Sequence, residues 1–261
     1  MNNPPTSEPS PSDLPASDLS ASVPAQRSLA DSTADNRIEM ERVSVEYDDR
    51  RVLDDISLTL DEQRIAIIGL NGSGKSTLVR LINGLVMPTY GRVTVGGACT
   101  MKETKRVRRK VGFVFQNPAN QIIMPTVGED MLFGLKNIGI PRGERVERAR
   151  ETLEQLGMGE FYERETHALS GGEQQMIALA SVLTMRPETI ILDEPTTMLD
   201  LLNRHRMRSV IAGLSQRSIV VTHDLELAAD AQRVLVVHEG RIVEDGTPAD
   251  SIAAYRRMCE L

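Results

Sequence analysis

Residues 64–77, RIAIIGLNGSGKST, join a short apolar run to a glycine-rich loop and then to a segment with helical spacing. A strand that ends in Gly69-Leu70-Asn71-Gly72-Ser73-Gly74-Lys75-Ser76 and opens a helix is the unit that cradles nucleotide phosphates, and it implies an α/β fold with this strand buried in the sheet. The glycines let backbone N–H groups curl around phosphate oxygens. Lys75 is suited to reach the β- and γ-phosphates, and Ser76, followed by Thr77, offers a hydroxyl to Mg²⁺. A helix is predicted over 75–83. Reading the segment as an ordinary glycine turn would leave the strand before it and the helix after it as coincidences.

The rest of the chain fits that frame. IEMERVSVEY and ISLTL alternate as antiparallel strands, while KVGFVFQ, TIILDE, RSIVVTHD and RVLVVHEGRIV are β-rich runs separated by helical stretches. The expected fold is therefore α/β with a mostly parallel sheet. Over 118–185 the strand signals vanish and helical ones dominate, including RGERVERARETLEQLG closed by Gly157, which predicts a helical insertion. Residues 1–37 hold six of the thirteen prolines and eight serines with no aromatic residue. That composition predicts a disordered tail, and the tail lacks the basic start and apolar run of an export signal.

Several side chains are expected to converge on the loop. In open α/β sheets the ligand edge lies at the carboxyl ends of the strands. Asp193 and Glu194 end the apolar TIILDE run, and neighbours on an extended chain point to opposite sides, so they can divide the work. Asp193 is suited to hold Mg²⁺ through its water shell, and Glu194 to act as general base on a water. Gln116 follows VGFVF and His223 follows IVVT. A glutamine can ligate Mg²⁺ or orient a water, and a histidine can donate to a γ-phosphate, although a single histidine after a strand is more often structural. A second anion site appears at ALSGGEQQ. Ser170, Gly171 and Gly172 open a helix whose unpaired N–H groups carry roughly half a positive charge. The loop at 69–77 already serves one anion, so the second site raises the question of whose phosphate it holds.

Composition narrows the partners. A net charge of −7 and a pI near 5.3 argue against nucleic acid, whose binders show a basic footprint. The run KETKRVRRK at 102–110 is read as a solvated helix face. Cys99 and Cys259 have neither metal spacing nor a disulfide framework, which fits a reducing compartment. No apolar run is long enough to span a bilayer.

GLNGSGKST, Gln116, LSGGEQQ, ILDEP, Asp200 in TTMLD, and VTHD appear in the order seen in the ATP-binding subunits of ABC transporters, which the chain resembles over 38–257. The resemblance implies a P-loop NTPase core with an N-terminal antiparallel β subdomain and a helical signature subdomain at about 118–185. It implies ATP hydrolysis with Mg²⁺. Two such subunits pack head to tail, so that each signature caps the γ-phosphate held by the other chain's loop, with Asp200 close by. Tyr47 stands where the family stacks an aromatic ring on adenine, a role weighed against simple packing of a strand tyrosine on a core. TTMLD departs from the commoner small-residue form of its loop, and the tail is longer than the family needs.

QNPANQIIMPTVGEDMLFGLKNIGIP is similar to the matching segment of energy-coupling-factor ATPases, and MPTV with the short C-terminus looks most like biotin-uptake members. That resemblance implies a peripheral position on the cytoplasmic face of the membrane. The partners would be a second ATPase subunit, a transmembrane coupling protein and a substrate-binding membrane protein. Gln121, Pro125, Thr126, Glu129 and Asp130 would lie near the groove for the coupling protein's helices. A soluble ABC ATPase acting on DNA or ribosomes would show a coiled-coil arm or a second ATPase half. A non-hydrolysing module would lack one of Lys75, Gln116, Asp193, Glu194 or His223.

Overall fold

The computed structural model describes residues 36–48, 50–197 and 199–260. Most of the expected tail, 1–35, lies outside them. Its last two residues do not: the Asn36 side chain donates to Thr189 Oγ1 at 3.1 Å, and Gly96 N donates to Arg37 O at 2.8 Å.

Two sheets form. One is antiparallel and four-stranded, in the order β2 (Arg50–Leu60), β1 (Ile38–Tyr47), β4 (Tyr90–Val95), β5 (Ala98–Cys99). The other has six strands, ordered β10 (Arg241–Gly246), β9 (Arg233–His238), β3 (Arg64–Ile68), β8 (Arg217–Val221), β7 (Thr189–Asp193), β6 (Val111–Val114). All its neighbours are parallel except β9 and β10. The phosphate-loop strand β3 thus sits between β9 and β8, with β7 one strand further out.

Alternation along the central strands builds a core on each face. Ile65, Ile67, Ile191, Ile219 and Val221 pack against helix α1 (Lys75–Ile82) and the antiparallel sheet. Ala66 and Ile68, with Val234 and Val236, form a smaller cluster on the other face, and Ile190, Leu192 and Val220 join the helical layer. Each fully buried isoleucine contributes about 1.5–3 kcal/mol, so truncating Ile67 would cost roughly 2–5 kcal/mol once the cavity is included.

Two hairpins were not legible as such. RVLVVHEGRIV is one β-rich run in sequence but two strands in space, joined by Glu239 and Gly240 at φ 46 and 76°. The β4–β5 pair turns at Gly96 and Gly97, φ 52 and 73°. Both turns need positive φ at two successive residues, the geometry that matches strand twist.

The basic run forms helix α2 (Thr104–Lys110), with Val107 buried and Lys105, Arg106, Arg108 and Arg109 exposed. Arg108 donates to the carbonyls of Asn83 and Gly84 at the end of α1. From Pro118 to Leu183 the regular elements are helical: α3 (Val127–Asn137), α4 (Arg142–Gln155) and α5 (Gly171–Leu183), besides short 3₁₀ turns. Helices α6 (Leu201–Ala212), α7 (Leu225–Ala229) and α8 (Pro248–Met258) complete the chain. No helix among the described residues is long and apolar enough to cross a membrane.

Candidate nucleotide-binding site

The loop after β3 is shaped by steric demands that only glycine meets. A Cβ on Gly69 (φ 148°) would lie 2.1 Å from the carbonyl oxygen of Val237, and one on Gly74 (φ 106°) 2.8 Å from Leu53 Cδ2. The closed loop turns its carbonyls onto Lys75, whose Nζ donates to Gly69 O at 2.8 Å and Leu70 O at 2.9 Å. Burial pushes the Lys75 ammonium below its ordinary value, while the Glu194 and Asp193 carboxylates pull it back up. Ser73 Oγ is buried with no hydrogen-bond partner. Orphaned buried hydroxyls are rare, and this one sits in a loop built for phosphate oxygens. Leu70, Asn71 and Gly72 are exposed at the rim, while Ser76 and Thr77 are half-buried at the start of α1.

Asp193, at the end of β7, is only 1% exposed and accepts from Ser76 Oγ at 2.8 Å. Its second oxygen accepts from Arg80 Nη2 at 3.3 Å. Arg80 was not anticipated, although Ser76 and Arg80 are four residues apart on one helix and so share a face. Hydroxyl and carboxylate oxygens meeting beside the phosphate loop are the donor set that a hard divalent cation takes together with phosphate. Among the described residues no cluster of three His, Cys, Asp or Glu could hold a metal by itself.

Glu194 corrects an expectation. The two carboxylates do not alternate along an extended strand, because Glu194 turns to φ 54°, in the left-handed region. Its N–H still bonds Val221 O at 2.9 Å, as a strand residue would, and the chain then departs into a turn. Non-glycine residues in that region cost about 1 kcal/mol or more and cluster at functional sites. The turn aims Glu194, 8% exposed, at His223, whose Nδ1 lies 2.7 Å from Glu194 Oε2. Thr197 Oγ1 donates to the same carboxylate oxygen at 3.2 Å.

Gln116 is exposed just beyond β6. The residue before it is clamped: Phe115 N donates to Gln121 Oε1 at 3.1 Å, and Gln175 Nε2 donates to Phe115 O at 3.3 Å. Gln121 also donates to Ala178 O at 2.7 Å, so it ties the Gln116 segment to α5 with its hydrogen bonds turned inward. Asp130 is likewise inward. It is 6% exposed and accepts from Ile123 N, Met124 N and Ser181 Oγ. Glu129 and Thr126 form the capping box of α3. The exposed apolar groups nearby are Ile123 and Phe133, beside exposed Pro125.

Ser170 caps α5. Its N–H and hydroxyl both donate to Glu173 Oε2 at 2.7 Å, which holds that carboxyl below its ordinary range. The hydroxyl expected to face an anion is therefore engaged, as is the Ser170 N–H, leaving the backbone N–H groups of Gly171 and Gly172 as donors. Ser170 and Gly171 are exposed, and no hydrogen bond links 170–172 to the loop at 69–77 among the described residues. Gly172 is buried, and a Cβ there would lie 2.6 Å from Asn203 Nδ2. Asp200 caps α6, accepting from Asn203 N at 2.7 Å and Nδ2 at 3.1 Å. Met198 of that loop lies outside the described residues. Tyr47 is 48% exposed at the β1–β2 hairpin, so it is not a core residue.

Residues 53–197 match the family model described as ABC transporter. A putative ABC transporter ATP-binding protein of Deinococcus radiodurans is 51% identical over 219 residues, 84% of this chain and 97% of that protein. The biotin transport ATP-binding protein BioM of Rhizobium etli is 49% identical over 85% of this chain and 98% of its own length. The energy-coupling factor transporter ATP-binding protein EcfA of Enterococcus faecium is 45% identical, with 86% and 84% covered. Among solved structures, cbiO1 from Clostridium perfringens, part of the ABC transporter complex cbiONQ, superposes with a TM-score of 0.75 at 30% identity, covering 87% of this chain and 94% of that one. A dimeric ATP-binding cassette in a post-hydrolysis state bound to ADP and Pi gives 0.73 at 28% identity, over 81% and 98%.

Proposed function

The chain belongs to the ABC transporter ATP-binding family and is an ATPase of that family, and from that premise we propose that it powers an energy-coupling-factor importer whose cargo is a micronutrient, most specifically biotin. The observation that carries the chemistry is the Glu194–His223 contact at the carboxyl ends of β7 and β8, beside the loop of β3. In our reading Glu194 polarises the attacking water as general base, and His223, with Nδ1 against that carboxylate, presents its other nitrogen to the γ-phosphate. Gly69, Leu70, Asn71, Gly72, Ser73, Gly74 and Thr77 cradle the phosphates, and ATP draws the Lys75 ammonium off the loop carbonyls that now hold it. Ser76 and Gln116 would hold Mg²⁺ directly, and Asp193 through water. The ion supplies charge neutralisation of the phosphates.

Adenine stacks on the exposed ring of Tyr47. Two chains pack head to tail, so that the N–H groups of Gly171 and Gly172 and the loop at Asp200 complete the partner's site; the dimeric cassette among the structural relatives supports pairing of two such chains. Membrane attachment is through a coupling protein on the cytoplasmic face, at exposed Ile123, Pro125 and Phe133. The name of the EcfA relative supports the energy-coupling-factor class, and that of BioM supports biotin. The test is to co-purify the chain with its membrane partners, reconstitute them in vesicles and measure ATP turnover with labelled biotin, cobalt, nickel or other vitamins. ATP-dependent biotin uptake is expected. Uptake of another cargo overturns the substrate, and the absence of any membrane partner overturns the importer.

A further inference from the structure

Gly172 and Asn203 belong to different elements, the first turn of α5 and the first turn of α6, and they meet closely. A Cβ at Gly172 would lie 2.6 Å from Asn203 Nδ2, 2.7 Å from Cγ and 3.1 Å from Cβ. Contacts under about 3 Å are repulsive, so one side must move. Asn203 is poorly free to do so. Its amide donates to Asp200 Oδ2 at 3.1 Å and its backbone N–H to Oδ1 of the same carboxylate at 2.7 Å. Rotating the side chain away breaks the first bond, and shifting the backbone breaks the second.

We infer that Asn203 is a positioning residue that fixes the start of α5 against the loop ending at Asp200, and that this contact is what requires glycine at position 172. Gly171 makes the contrast. It is exposed, and a Cβ there would meet nothing within 4 Å, so adjacent glycines in one turn answer to different demands. At 171 the surface is open for an anion; at 172 the backbone is pressed against an amide. The consequence for nucleotide rests on the proposed role of the Gly171 and Gly172 N–H groups in capping a partner's γ-phosphate. Asn203 then sets the distance between the two segments that meet the partner, and a displacement of tenths of an ångström at 203 is passed to the anion-facing N–H groups.

The experiment is a double-mutant cycle on the full chain with Gly172→Ala, Asn203→Gly and both together, reading nucleotide occlusion per dimer and the thermal midpoint of the metal-free subunit. Gly172→Ala is expected to lower occlusion tenfold or more. Asn203→Gly removes the three atoms nearest the new methyl, Nδ2, Cγ and Cβ, so the double variant is expected to return to the level of Asn203→Gly alone. An equal fold-loss from Gly172→Ala in both backgrounds would overturn the inference, as would wild-type occlusion by Gly172→Ala. A second pair does not depend on a new methyl. Asn203→Asp keeps the shape but sets a carboxylate against Asp200, and Asp200→Asn in the same chain restores a donor facing an acceptor. Occlusion should fall with the first change and recover with both; no fall, or no recovery, counts against Asn203. Gly171→Asp separates the two claims. If it leaves occlusion intact, the anion role of this turn fails, while non-additive thermal midpoints at 172 and 203 still report the tie between α5 and α6.

Discussion

His223 Nδ1 lies 2.7 Å from Glu194 Oε2, across the carboxyl ends of two adjacent parallel strands. In the proposed reading the contact joins the base to the group that fixes its direction. Glu194→Gln keeps the shape and removes the base, so turnover is expected to fall roughly 10²- to 10⁴-fold while ATP stays bound and holds two subunits together. His223→Ala should cost a comparable factor. The double variant should lose little more than the worse single one, since the two residues act as a unit. Steady-state ATP hydrolysis checks all three, and a Glu194→Gln rate within a factor of two of the parent would remove the base from Glu194.

Asp193 and Arg80 form a pair in which one member is buried and the other is not: the side chains are 1% and 40% exposed. Removing one partner of a fully buried pair costs about 3–5 kcal/mol, and the solvent around Arg80 reduces this to roughly 1–2 kcal/mol for Arg80→Met. Arg80→Lys should cost less. Denaturant unfolding of the metal-free subunit measures both, and unchanged stability in Arg80→Met would mean that Ser76 alone satisfies the carboxylate.

Asp130 and Phe133, three residues apart on α3, are expected to respond differently to substitution. Asp130 satisfies two backbone N–H groups and the Ser181 hydroxyl, so Asp130→Lys should destabilise the isolated subunit by roughly 2–4 kcal/mol. Ile123→Glu and Phe133→Glu alter exposed side chains instead. They should leave nucleotide binding by the isolated subunit intact and weaken its association with the membrane partners in pull-down. If assembly survives both, the docking surface lies elsewhere.

Which features could be read from the sequence follows from how local their causes are. The loop at 69–77 was legible because its glycines, Lys75 and Ser76 do their work within one strand–loop–helix unit. The helical layer was legible from periodicity alone. The left-handed turn at Glu194 is not legible, because it comes where the residue's N–H bonds Val221 O of β8, a long-range pairing that no local pattern carries. The resemblance puts Asp130 and Gln121 near a docking groove; only the packed fold reveals that the Ser181 hydroxyl of α5 donates to Asp130 and that Gln121 donates to the Ala178 carbonyl. The hairpins at Gly96–Gly97 and Glu239–Gly240 are not legible as such, because each turn interrupts only two residues of a β-rich stretch. Asn203 carried no local signal, because its importance lies in a contact with a residue on another helix.

The open face of Ser170 and Gly171 allows a direct test of whose phosphate the second site holds. One subunit carries Lys75→Ala, which damages its loop. The other carries Gly171→Asp, which adds a carboxylate at the open turn, where a Cβ meets nothing within 4 Å; Gly172→Asp is unsuitable, because its side chain would first collide with Asn203. Each variant alone should fail to occlude ATP. If a site were built within one chain, every site in a mixed dimer would still contain one lesion. If sites are built between chains, the mixed dimer gathers both lesions into one site and leaves the other with an intact loop and an intact turn. With differently tagged subunits and mixed dimers isolated, about one ATP occluded per dimer is the expected result. Occlusion is the better readout than hydrolysis, since turnover can require both sites to act together. Occlusion no higher than in either variant alone, in dimers shown to have formed, would rule out the head-to-tail arrangement.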